Sequence, residues 1–200
     1  MKNLVFVGSH LGYPMDRTPL GGGAMVGLQL IRHWKPGSTW RLIVLGSGPR
    51  TPAEGVEYVR LAGQDGGIVD FSELRYARFC REFEAASTEW ILSHREELKP
   101  AQTAIVVNDI SEGPTIGELT RAGYRILSIW HVDVVDYFNR LYLRRFLAPE
   151  KLARIYERLR ALGVDWVLPD ALKLVFDKQR ETVVYSRRMV VPSTAMAETI

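Results

Sequence analysis

Three consecutive glycines, Gly21-Gly22-Gly23, stand directly before the run Ala24 to Trp34, in which Met25, Leu28, Ile31 and Trp34 recur at spacings of three. That spacing predicts a helix with one apolar face. A helix N-terminus offers unpaired N–H groups and a partial positive charge. Glycines there let a ligand approach with no Cβ in the way. Together these predict a phosphate site, with a merely tight turn as the equal alternative. His10 and Arg17 fall in the loop that leads to the glycines. Further on, polar residues stand where apolar runs end: Asn108-Asp109 after Thr103 to Val107, and His131-Val132-Asp133 after Tyr124 to Trp130. A histidine and carboxylates so placed can accept hydrogen bonds or move a proton. Asp109 is equally suited to cap the next turn. No His/Cys/Asp cluster has the spacing of metal ligands, so no metal site is predicted.

The elements that must hold these residues read as alternating strands and helices. Strands are predicted at Leu4 to Val7, Arg41 to Leu45, Val56 to Leu61, Thr103 to Val107, Tyr124 to Trp130 and Met189 to Val191. Helices are predicted from Ala24 to Trp34 and from Phe71 to about Lys99, where Pro100 stops the chain. A further helix starts near Pro114 and ends at Gly123. A polar helical region, with blocks at Tyr137 to Phe146 and Pro149 to Leu162, runs from Val134 to Gln179, and Ser193 caps a last helix from Thr194. The alternation predicts an α/β fold: a three-layer Rossmann-like domain on a mainly parallel sheet, covered on both faces. A parallel sheet presents residues to a ligand at its carboxyl edge, so Gly22, Gly23, Asn108 and His131 are expected to line one cleft there.

Composition narrows the classes. Two hundred residues suit one large domain, and 46% hydrophobic content can build a core. The single cysteine, Cys80, excludes an internal disulfide and reads as a buried small side chain in a reducing compartment. No signal peptide or membrane-spanning stretch is predicted. The net charge of +3 permits an anionic ligand or lipid surface. Two nucleotide motifs are excluded. No lysine follows the glycines as a P-loop requires. A dinucleotide fingerprint needs glycines directly after the first strand and an acid ending the second, and Leu42-Ile43-Val44-Leu45 runs into Gly46.

Taken in order, four features resemble the N-terminal domain of GT-B glycosyltransferases, most closely the retaining, nucleotide-sugar-dependent group called family 4. They are the first strand with Gly21-Gly22 after a long loop, Asn108-Asp109 after strand four, His131 after strand five, and Val191-Pro192-Ser193 opening a helix. Gly23-Ala24 replaces the acidic residue that the family often carries after its glycines. The resemblance implies an acceptor-side domain, residues 1–200, of an enzyme whose nucleotide-sugar domain is a second Rossmann-like half. It implies that His131 contacts donor sugar or acceptor. Asp109 or Asp133 accepts hydroxyl hydrogen bonds or serves as base, and Gly21, Gly22 and Gly23 meet the diphosphate. His10, Arg17 and Asn108 become substrate contacts. Expected partners are a nucleotide-sugar and a saccharide or lipid-linked acceptor, with no nucleic acid and no cofactor. The expected location is cytoplasmic; Phe138, Leu141, Tyr142 and Phe146 among Arg140, Arg144 and Arg145 suit either ordinary helix packing with solvated arginines or a surface that rests on anionic lipid at the inner membrane face. Taken alone, the 200 residues are expected to transfer no sugar. The alternatives are a flavodoxin-like enzyme that binds a nucleotide or sugar phosphate, and a non-catalytic α/β interaction domain.

Overall fold

A computed structural model describes residues 2–14, 21–34, 39–62, 71, 73–132, 149–168 and 170–199. Arg17, Asp133 and the Tyr137–Phe146 block therefore lie outside the described residues. The apolar runs become six strands: β1 (Lys2–Val7), β2 (Trp40–Gly46), β3 (Glu57–Arg60), β4 (Thr103–Asn108), β5 (Arg125–Ile129) and β6 (Arg188–Val190). All the pairings are parallel, and the order across the sheet is β3-β2-β1-β4-β5-β6. This is the Rossmann order, whereas a flavodoxin-like sheet, the other common doubly wound arrangement, runs 2-1-3-4-5, so that alternative architecture is not the one found.

Alternation along the strands divides the core in two. Val5, Val7, Ile43, Leu45, Ile105, Val107 and Ile126 pack with Phe79, Phe83 and Ile91 of α2 (Glu73–Ser93) and with Ile116 and Leu119 of α3 (Ile116–Arg121). Phe6, Leu42 and Val44 turn the other way, onto Leu28 and Ile31 of α1 (Gly22–Arg32). Cys80 is fully buried in α2, and burial pushes its thiol up to about 12, so it sits as a core side chain.

The long helix ends earlier than its polar run suggests. After Ser93, the Ser93 hydroxyl and the His94 ring both bond the Trp90 carbonyl, at 3.0 and 2.8 Å. Such local bonds compete with another helical turn. Pro100 then opens a short 3-10 turn, Pro100–Gln102, that leads into β4. Among the described residues, two more helices lie between β5 and β6: α4 (Pro149–Ala161) and α5 (Asp170–Tyr185). The latter continues past Gln179, because buried Thr182 satisfies its hydroxyl on the Lys178 carbonyl at 2.7 Å within the helix. Against α5, α4 packs by stacking Tyr156 on Phe176 at 4.7 Å and by pairing Arg160 with Asp177 at 2.9 Å. The last helix, α6 (Thr194–Thr199), is capped as expected: the Met196 N–H donates to the Ser193 hydroxyl at 3.2 Å.

Lys178 ties this layer to the carboxyl edge of the sheet. It is 3% exposed, pairs with Glu84 at 2.7 Å and donates to the Gly113 carbonyl at 2.6 Å. A buried ammonium is tolerated only with such partners. No described helix is long and apolar enough to cross a membrane.

Candidate functional site

The sheet order reverses between β1 and β4, and in such folds the crevice at that switch point is where ligands bind. Two clusters flank it. The first joins α1, β4 and β5. Asn108, almost wholly buried, donates its amide N–H to the Gly23 carbonyl at 3.1 Å and turns Oδ1 to His131 Nε2 at 3.3 Å. With the amide so oriented, the His131 nitrogen is the donor. The packing requires glycines on this side. A Cβ on Gly23 would lie 2.7 Å from the His131 ring, and one on Gly27 would lie 2.5 Å from the Asn108 amide nitrogen. Gly23, Asn108 and His131 thus stand together at the carboxyl edge.

Gly21 and Gly22 differ. A Cβ on either meets nothing within 4 Å, and Gly21 has an ordinary backbone, φ −52° and ψ 169°. Nothing in the described protein requires glycine at these two positions. They open the first turn of α1 to whatever approaches from outside.

The second cluster joins the loops after β1 and β4. His10 Nε2 lies 3.3 Å from Oε1 of Glu112, which is 1% exposed. The Tyr76 hydroxyl of α2 donates to the same carboxylate, and the Ser111 hydroxyl stands 3.0 Å from its other oxygen. Burial alone would lower the His10 pKa, but the hydrogen bond and charge of Glu112, with Asp109 behind, outweigh it and raise the group above its usual value. The loop that carries His10 is held by the Ser47 N–H and hydroxyl, both donating to the Ser9 carbonyl at 3.1 and 2.6 Å.

Asp109 turns inward along its own chain. Its Oδ1 takes the Ser111 N–H at 3.3 Å and lies 2.9 Å from the Ser111 hydroxyl, the turn-capping arrangement. Its φ of +134° is a strained conformation for a side-chain-bearing residue. Reading the sequence singled out His10 but missed Glu112 and Tyr76. The signal within reach was an acid shortly past the end of a strand, in Ser111-Glu112-Gly113-Pro114, where a helix start is the simpler reading. No described group of His, Cys, Asp and Glu could hold a metal. A groove of about 440 Å³ lies elsewhere, among α2, α3, α4 and α5, lined by Arg81, Arg121 and Glu181 and by the ion pairs named above.

No family model and no curated protein matches the sequence. What the solved structures share with this chain is the fold, a Rossmann-like domain that matches about half of a longer chain. In particular, the chain superposes on Phytolacca americana UGT2 in its apo form with TM-score 0.52 at 9% identity, over 100% of this chain and 47% of that one. The same enzyme complexed with UDP-2fluoro-glucose and pterostilbene gives TM-score 0.51 at 11% identity, over 100% of this chain and 48% of that one. The chain spans about half the length of these structures, and at such identities the likeness is one of fold.

Proposed function

We propose that this chain is the acceptor-side half of a two-domain glycosyltransferase, which moves a sugar from a nucleotide-sugar to a hydroxyl of a saccharide or lipid-linked acceptor. The observation that carries the reading is His10 at the switch point, backed by the buried carboxylate of Glu112. A carboxylate that accepts from one ring nitrogen fixes the tautomer and leaves the other nitrogen as base. His10 takes the acceptor hydroxyl proton, the acceptor oxygen bonds the anomeric carbon, and the nucleoside diphosphate departs with the bonding electrons. Glu112 stabilises the imidazolium so formed. The N–H groups of Gly22 and Gly23 meet the departing negative charge, and Gly21 leaves the way to them open. His131, held in place by Asn108, bonds sugar hydroxyls, and Arg17 and Asp133 complete the substrate contacts. The fold likeness to an enzyme complexed with UDP-2fluoro-glucose supports the nucleotide-sugar.

The finer assignment, to the retaining family-4-like group, rests on the order of the sequence motifs alone. A base-assisted direct displacement inverts the anomeric centre, and the His10–Glu112 pair favours that course. The test is an assay of the two-domain protein against a panel of nucleotide-sugars, with His10→Ala and the 200-residue chain beside it. Product configuration is read by proton NMR. We expect turnover by the two-domain protein, a large loss in His10→Ala and none by the chain alone, because one wall of a cleft cannot orient both substrates. Turnover undiminished by His10→Ala removes the base assignment. Turnover by the chain alone at the rate of the longer protein shows it to be a complete enzyme.

A further inference from the structure

Among the described residues, four exposed apolar side chains that the candidate site does not use follow one another closely in the chain. They lie on the outer face of α4 and in the short 3-10 turn after it, Asp165–Val167. Leu162 is 75% exposed, Trp166 73%, Val167 56% and Ile155 44%. The other four tryptophans are buried or half-buried. The inner face of α4 is already occupied: Leu152 and Tyr156 pack with Leu172 and Phe176 of α5. The exposed apolar residues are therefore surplus to the fold. Solvent-exposed apolar areas of this kind mark interaction surfaces.

Charge accompanies them. Lys151, Ile155, Arg158 and Leu162 follow spacings of four, three and four, so they form a single stripe along the helix. Arg154 lies beside that stripe. Glu157, on another side of the helix, pairs with Arg180 of α5 at 3.1 Å. The outer face thus combines aliphatic side chains, one indole and a row of cations. We propose that this face docks on an anionic lipid bilayer, with Leu162, Trp166 and Val167 entering the headgroup boundary and Lys151 and Arg158 meeting lipid phosphates. An indole at the rim of an apolar patch suits that boundary, where one side is wet and the other apolar. A second copy of the chain fits less well, because a two-fold contact would bring the same cations face to face.

The proposal does not depend on the sugar-transfer reading. It is tested on the 200-residue chain with vesicles of phosphatidylcholine, alone or mixed with phosphatidylglycerol. Co-sedimentation with the mixed vesicles only is expected, with a blue shift of tryptophan emission that disappears in Trp166→Phe. Lys151→Glu and Arg158→Glu should each weaken partitioning about fivefold. Leu162→Ser should weaken it about tenfold, with circular dichroism unchanged. Equal sedimentation with neutral vesicles, or an emission shift that survives Trp166→Phe, overturns the proposal. So does self-association without vesicles, in sedimentation velocity, that Leu162→Ser abolishes; that result assigns the face to a second copy.

Discussion

His10 and His131 occupy equivalent places, each in the loop that follows a parallel strand, β1 and β5, at the same edge of the sheet. Their partners differ. His10 leans on a buried carboxylate, and His131 on a buried amide. A carboxylate adds charge, so it both orients a ring and favours its protonated form. An amide orients without adding charge. Position at the strand end therefore brings a histidine to the crevice, and the group behind it decides whether it works as a base or as a hydrogen-bonding wall.

The largest effect that separates the two histidines is on rate. In the two-domain protein, His10→Ala should lower acceptor kcat/KM by about 10²–10⁴-fold, the usual worth of a positioned base. His131→Ala should lower it less and act mainly on KM for the donor. Steady-state kinetics on both variants check this, and equal losses at both positions would dissolve the distinction.

Removing the charge behind His10 comes next. Glu112→Gln keeps the burial and loses the carboxylate, so the His10 pKa should fall from above its ordinary value to below it. Titration of the His10 ring by NMR, in the chain itself, measures the change directly. Stability follows the same sign. A folded-state pKa raised above the unfolded value contributes stability that is fully present below the unfolded pKa, about 6.5, and is lost as pH rises through the folded one. The wild type should therefore lose its advantage over Glu112→Gln in denaturant melts run upward from mildly acid pH. An advantage that grows with pH would contradict the pairing.

The amide side is probed through its glycines. Gly27→Ala drives a Cβ against Asn108 and should cost about 1–3 kcal/mol in urea unfolding. The smallest effect on stability belongs to Gly22→Ala. With nothing within 4 Å and a helical position, the change should be neutral or stabilising by up to about 1 kcal/mol. It should nevertheless weaken nucleotide-sugar binding, measured by calorimetry on the two-domain protein. Unchanged binding would mean that the first turn of α1 meets no ligand.

Much of this was legible in the residues. Runs such as Leu42-Ile43-Val44-Leu45 and Thr103 to Val107 are apolar on both faces, and such runs form parallel strands wherever helices cover them. The meeting of Gly23, Asn108 and His131 followed from the same logic, because strand ends converge on one edge. Glu112 was not legible. Its burial depends on Tyr76 from α2 and on His10 from the loop after the neighbouring strand β1, 36 and 102 positions away in sequence. Nothing local in Ser111-Glu112-Gly113-Pro114 reports those partners. The end of α2 was hidden for the opposite reason: it is set by the bonds of two adjacent side chains to one carbonyl, a local competition that hydrophobic periodicity does not register.

The place of β1 at the centre of the sheet also bears on how the chain is made. Asn3 pairs with Arg41 on one side and with Thr103 on the other. The strand that comes first in the chain must wait for both neighbours, and the second arrives only after everything from Ser47 to Gln102 has been synthesised. At about 5–20 residues per second, that interval lasts several seconds. Throughout it, one edge of a β1 built from Leu4, Val5, Phe6 and Val7 stays open to any other extended chain, which makes β4 the segment whose emergence ends the nascent domain's period of greatest exposure to misassembly.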